Sequence, residues 1–295
     1  METKEQKLHE HGFVRLIDVM GDDNCIADAA RVSYGKGTRT ANDNRNLIRY
    51  LLRHKHTSPL EMVEVKFHLK LPIFIMRQLV RHRTASLNEY SGRYSIMTEE
   101  CYAPSDEYLK PQSQANKQGS DGDLPKTCKD SYKQKINGAI NKAIVAYRFL
   151  LGTESATWGG LGLSRELART VLPVSNYTEC YWKIDLHNFF HFCRLRMDSH
   201  AQQEIRDYAK VMYEMVKPEV PIAAEAFEDY SLNSVSLSRM EVDVLQYAFK
   251  KFPEMQSSSG FIQNITSYIS KLKDSDDIQF DMGKREWKEL EEKLK

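Results

Sequence analysis

Arg81, His82, Arg83, Asn88, Glu89, Ser91 and Arg93 fall within thirteen positions of a 295-residue chain, in the stretch RHRTASLNEYSGR. Arginine forks match phosphate and carboxylate oxygens bidentately. Ser91 and Gly92 can offer a hydroxyl and a backbone N–H to the same anion, and glycine permits close approach. Asn88 and Glu89 supply a donor and an acceptor for a base or a sugar. A salt-bridged surface loop is the alternative, but one carboxylate cannot neutralise three arginines and a histidine. The partner implied is anionic, planar-polar and external to the chain.

Other residues could do chemistry less distinctively. Arg194 and Arg196, in RLRMDSHAQ, would suit a helix end, where cations favour the dipole and satisfy carbonyls. His187 and His191 in HNFFH have the spacing of a metal-binding helix, but the glutamate a zinc hydrolase would use as base is missing. His54 and His56 could chelate, although the Thr57-Ser58-Pro59 that follows reads as a cap or an anion turn. Two rival functions therefore stand beside a nucleotide-binding enzyme. One is a binder gripping RNA or a phosphorylated partner through the arginine loop, with Tyr90 and Tyr94 for stacking. The other is a hydrolase built on a metal held by His187, His191 and His200.

The elements that must place these groups read as α+β, a central and largely antiparallel sheet flanked by long helices. Phe13 to Met20 has a strand's composition. Asp22 or Asp23 caps a helix bearing Ile26, Ala27 and Ala30. An irregular segment follows at 31–40, then an amphipathic helix from Asn42 with Leu47, Ile48 and Leu51 on one side. Val63 to Leu71 alternates cleanly and is a strand. Pro72 starts a helix directly, with Arg77, Gln78 and Arg81 along one edge. Residues 112–132 are polar and aperiodic and read as a mobile insertion. A long helix runs from about Tyr132 to Leu151, and a shorter one from Ser164 to Val171. Thr178 to Asp185 is a second clear strand, with Cys180, Trp182 and Ile184 inward. Leu186 to Met197 and Ala201 to Lys217 are helices, the second capped by Asp198 or Ser199. These elements occupy residues 1–230. Residues 231–295 are placed as an accessory helical extension, with an amphipathic segment at 242–252, a Ser-rich linker at 257–259 and a charged helix from Lys284.

Composition narrows the class further. A hydrophobic fraction of 41% with 28% charged residues is that of a globular chain able to bury a core. Net charge is +1, so no global field recruits nucleic acid and the cationic site must be local. Five scattered cysteines without CxxC spacing read as reduced thiols, which points to the cytoplasm. The charged opening METKEQKLHEHG lacks a signal-peptide core, and no apolar run approaches a membrane span.

Arg81-His82-Arg83, seven residues, then Ser91, within RQLVRHRTASLNEYSGRYS, resembles the signature of the flavin-dependent thymidylate synthases. HKHTSPLE, ARTVLPVSNYT and LRMDSHAQQEIRDYA stand in that family's order. The resemblance covers roughly Gly12 to Tyr230 without the polar insertion, and it implies that 1–230 is the catalytic domain. It implies that dUMP becomes dTMP with 5,10-methylenetetrahydrofolate as carbon donor, NADPH as reductant and FAD as hydride carrier. It also implies a homotetramer whose active sites are shared between subunits. Gln78, Leu79, Val80, Arg81, Glu89, Tyr90, Ser91, Gly92 and Arg93 would hold dUMP, with Arg169 added from another subunit. Arg196 would lie against the uracil edge as the catalytic residue. FAD would contact Ser58, Arg81, His82, Arg83, Glu89, Asp185, Leu186, His187 and His191. No metal is implied. Ser91 has no visible base beside it and is read as a binding group, not a nucleophile. The chain departs from the commoner pattern at Met62, where histidine is frequent, and at Asp185, where asparagine is expected.

Overall fold

The structure is a computed structural model that describes residues 4–32, 44–114, 119–153, 162–251 and 284–294. It divides into two units, Met1–Leu232 and Asn233–Lys295. The first is built on a five-stranded sheet: β1 (Lys4–Leu8), β2 (Gly12–Met20), β3 (Glu64–Pro72), β4 (Ser86–Glu89) and β5 (Tyr177–Asp185). The spatial order is β1-β2-β3-β5-β4 and every pairing is antiparallel. The α+β expectation holds.

Alternation in β3 and β5 decides which face is buried. Val65, Phe67 and Leu69 lie opposite Ile184, Trp182 and Cys180, and all six are at most 2% exposed. The opposite face carries His68 stacked on Tyr181 at 4.7 Å, with Glu179 hydrogen-bonded to the same imidazole. Helices α1 (Asp23–Val32), α2 (Asn44–Arg53), α3 (Ile73–Leu79), α6 (Leu186–Arg196), α7 (Gln203–Val216) and α8 (Pro221–Phe227) contribute the rest of this core. Phe189 and Phe192 on α6 pack onto Phe67 and Trp182. The amphipathic spacing of α1, α2 and α7 is therefore satisfied against one sheet face.

α4 (Lys126–Leu151) and the short α5 (Arg165–Ala168) lie outside that core. α4 buries only Ile144 and Tyr147, and the Tyr147 hydroxyl accepts a hydrogen bond from Met97 N. In the second unit, α9 (Arg239–Lys251) and α10 (Lys284–Lys293) are joined by an ion pair from Lys293 to Glu241. Val244, Ala248, Trp287 and Leu290 are buried there.

Several local expectations change. The polar leader contains β1, whose KEQKL sequence lacks alternation because it is an edge strand drawn in by pairing with β2. The loop 83–93 contains β4, whose four side chains are all exposed, so burial left no period to read. The expected insertion at 112–132 is shortened: Lys126 to Tyr132 form the first turns of α4 behind Pro125. Asp198 does not cap α7. Gln202 occupies that position, and Asp198 accepts from His200 N within its own tight turn. Of the other segments read from sequence, 33–43 and 252–283, including the Ser-rich linker, lie outside the described residues.

Candidate active site

Ten of the expected nucleotide and flavin residues line two separate hollows. The first, about 360 Å3, is lined by Arg81, His82, Arg83 and Thr84 from the segment after α3, by Ile184 of β5, and by Asn188, His191, Leu195 and Arg196 of α6. Local sequence explains the convergence. α3 buries Ile75, Met76 and Leu79, so the chain leaves the core at Val80 and turns outward, with His82 N donating to Leu79 O. α6 buries Leu186, Phe189, Phe190, Phe192 and Cys193. Asn188, His191 and Leu195, spaced i, i+3, i+7, form its outer stripe.

Asp185 starts that helix. Its carboxylate accepts from Asn188 N at 2.9 Å and from Asn188 Nδ2 at 2.7 Å, a side-chain N-cap. Asparagine could make the backbone bond equally well. Met62, the other departure, is the half-exposed last residue of a 3-10 turn, Ser58–Met62.

No carboxylate lines this first hollow. Among the described residues, Arg81, Arg83 and Arg196 have no ion-pair partner. Burial, and then the charge of Arg81, lowers the pKa of Arg196 from its ordinary value. Arg196 Nε donates to His82 Nε2 at 3.0 Å. Burial and the neighbouring Arg196 and His191 push the pKa of His82 down to about 4. The imidazole is therefore neutral at physiological pH, with Nε2 as acceptor.

The second hollow, about 270 Å3, is lined by Glu89, Tyr90, Ser91, Gly92 and Arg169, with Ile73, Met97 and Leu172 beneath. β4 leads into it. Tyr90 N donates to Glu179 O, and Thr178 Oγ1 holds the Glu89 carboxylate at 2.9 Å. Tyr94 N and Ser95 N both return to Ser91 O, closing a tight turn. At Gly92 a Cβ would stand 2.7 Å from Met97 Sδ and 2.9 Å from Arg169 Cδ, so a larger residue would force Met97 or Arg169 to shift. Arg169 thus groups with Ser91 of its own chain. Arg93 points elsewhere and pairs with Glu166 at 3.2 Å.

Neither hollow's lining includes a residue of the other. Gln78 lies on the rim of α3 and donates to Gln202 at 2.6 Å. Val80 is half-buried. Leu79 and Leu186 are at most 1% exposed, so only their backbones can meet a ligand. Ser58 is exposed and His187 half-buried, and neither lines these two hollows. Sequence reading missed Thr84, Asn188, Met97 and Thr178. The i, i+3, i+7 stripe could have revealed Asn188; Met97 and Thr178 are brought in by pairing distant in sequence. Among the described residues no three His, Cys, Asp or Glu side chains are placed to hold a metal ion. No helix among them is long and apolar enough to cross a membrane.

A family model described as thymidylate synthase complementing protein matches residues 15–222. The chain is 45% identical over 287 residues to the flavin-dependent thymidylate synthase of Wolbachia pipientis wMel, covering 97% of this chain and 91% of that protein. It is 49% identical over 253 residues to the flavin-dependent thymidylate synthase of Dictyostelium discoideum, covering 82% and 80%. Among solved structures, a UMP/dUMP methylase, PolB from Streptomyces cacaoi bound with 5-Br dUMP, aligns with a TM-score of 0.67 at 31% identity. That match covers 77% of this chain and 99% of the methylase.

Proposed function

We propose, from the premise that the chain belongs to the thymidylate synthase complementing protein family, that of the flavin-dependent thymidylate synthases, that it converts dUMP to dTMP by reductive methylation. In this reading 5,10-methylenetetrahydrofolate donates the carbon, NADPH is the reductant and FAD carries the hydride. One observation carries the proposal: the guanidinium of Arg196 sits in a half-buried hollow with no carboxylate to neutralise it, beside a neutral histidine.

Carbon 5 of uracil is a weak nucleophile until electron density enters the ring. A fixed cation at the carbonyl edge stabilises that density as it develops, in a site where water screens little. Arg196 supplies the cation. Ser91 and the backbone of Gly92 bind the nucleotide phosphate with Arg169. Glu89, braced by Thr178, meets the sugar or flavin side. No covalent bond from protein to substrate is needed.

The donor set of the first hollow fits a flavin nucleotide. Arg81, Arg83 and Thr84 offer donors to a pyrophosphate, Asn188 and His191 offer ring contacts, and no acidic side chain repels the charge. When bound, the flavin supplies two-electron hydride chemistry that no side chain can perform. At about 360 Å3 the hollow is at the small end of ligand sites, so it takes part of a dinucleotide and leaves the rest to a second copy.

That shortfall, together with the separation of Ser91 and Arg169 from Arg196, supports active sites shared between subunits of a homotetramer. Exposed apolar side chains on α4 and α5, Val145, Phe149 and Leu167, offer surface for such contacts. The unpaired thiols, exposed Cys25 among them, suit the cytoplasm.

The test is purification followed by a visible absorption spectrum and an assay of tritium release from dUMP labelled at carbon 5, with UMP run alongside. Bound flavin and NADPH-dependent release are expected. A colourless protein that takes up no FAD and releases nothing would sink the proposal.

A further inference from the structure

We infer that His82 is a positioning residue for Arg196, its Nε2 accepting from the guanidinium Nε and so fixing the plane in which Arg196 faces the substrate. The inference rests on the proposed role of Arg196 and goes beyond it. Guanidinium is a planar fork, and Nε is the one donor that points back along the side. Anchoring Nε leaves both terminal nitrogens free for an external acceptor. Arg196 has no other side-chain partner among the described residues that would orient it.

The choice of anchor follows from the task. A carboxylate would hold the fork as firmly but would also neutralise the charge the developing uracil anion needs. A neutral imidazole fixes direction and leaves the charge intact. The surroundings keep it neutral: Arg81 and Arg83 flank it, Arg196 and His191 face it from α6, and no acidic group lines the hollow. The ring is itself held. Phe192 meets it edge-on at 5.0 Å and His191 lies 6.1 Å away. Its backbone N–H is tied to Leu79 O at 3.0 Å.

The experiment compares wild type, His82→Leu, His82→Gln, Arg196→Ala and the Arg196→Ala/His82→Leu double variant as FAD-loaded enzymes. Flavin occupancy is read by absorption, flavin reduction by NADPH without nucleotide, and dTMP formation in steady state. Misaiming a group at the reacting centre costs about 100-fold in rate, so His82→Leu should lose that much kcat. Its KM for dUMP should move by less than about threefold. Gln can accept through Oε1 near the position of Nε2, so His82→Gln should recover at least about tenfold of the loss. In the Arg196→Ala background the leucine should cost nothing further, because a residue acting through another has no effect once that partner is gone.

Near-normal kcat in His82→Leu overturns the inference. So does a glutamine variant no better than leucine, or a double variant whose losses multiply. Should His82→Leu fail to fold or to hold flavin, His82→Asn, polar but too short to reach Arg196 Nε, takes its place in the same cycle. Wild-type enzyme that binds FAD yet forms no dTMP refutes the function itself, whereas active wild type with an indifferent His82 refutes this inference alone.

Discussion

A cation stabilises a developing anion in proportion to how little of its charge is already engaged. Arg196 is half-buried, and the described residues provide it with a neutral partner and no acidic one. Arg196→Ala should therefore lower turnover by about 100-fold or more while the flavin spectrum stays; an unchanged kcat would remove it from the mechanism. Ser91 makes the opposite case. Its Oγ accepts only from Arg93 N, at 3.3 Å, and no base approaches it among the described residues. Ser91→Ala should raise the KM for dUMP about tenfold, the cost of one hydrogen bond to a charged group, and leave measurable kcat. Abolished chemistry with normal nucleotide binding would make Ser91 a nucleophile after all.

Elements carry these residues, and their stability has identifiable supports. Asp23, in the first turn of α1, reaches across to accept from Ile222 N at 2.8 Å and Ala223 N at 2.9 Å. It thus caps α8, a helix about 200 residues away in sequence. Burial raises its carboxyl above the usual range, opposed by those two bonds. Asp23→Ala strands both donors and should cost about 1–3 kcal/mol, seen as a drop in the thermal midpoint with the flavin site intact; an unmoved midpoint would show that water replaces the cap. A local helix-start signal at Asp22-Asp23 is plain in the sequence, but its service to a remote helix is not. The same contrast runs through the site. Alternation made β3 and β5 legible, and the arginine loop was legible by charge alone. β1 and β4 were not, because edge strands with exposed side chains carry no burial period. The division into two hollows was hidden too, since it depends on how α3 and β4 diverge in space.

At the scale of the whole molecule, each chain carries two separate hollows. If Arg196 of one copy serves the nucleotide held by Ser91 and Arg169 of another, two inactive variants should complement. Arg196→Ala and Arg169→Ala proteins, each inactive alone, should regain activity when mixed and allowed to exchange subunits, because some sites then contain both intact halves; no recovery despite exchange would put both halves in one subunit. β4 gives this arrangement a further property. It lies between the hollow that Arg83 lines and the hollow that Glu89 lines, and a single antiparallel ladder to β5 holds it. If the two hollows serve different centres of an oligomer, a displacement passed along β4 would couple ligation at one centre to the next. dUMP titrations of the oligomer should then depart from a Hill coefficient of one; a simple hyperbola would mean the centres work in isolation.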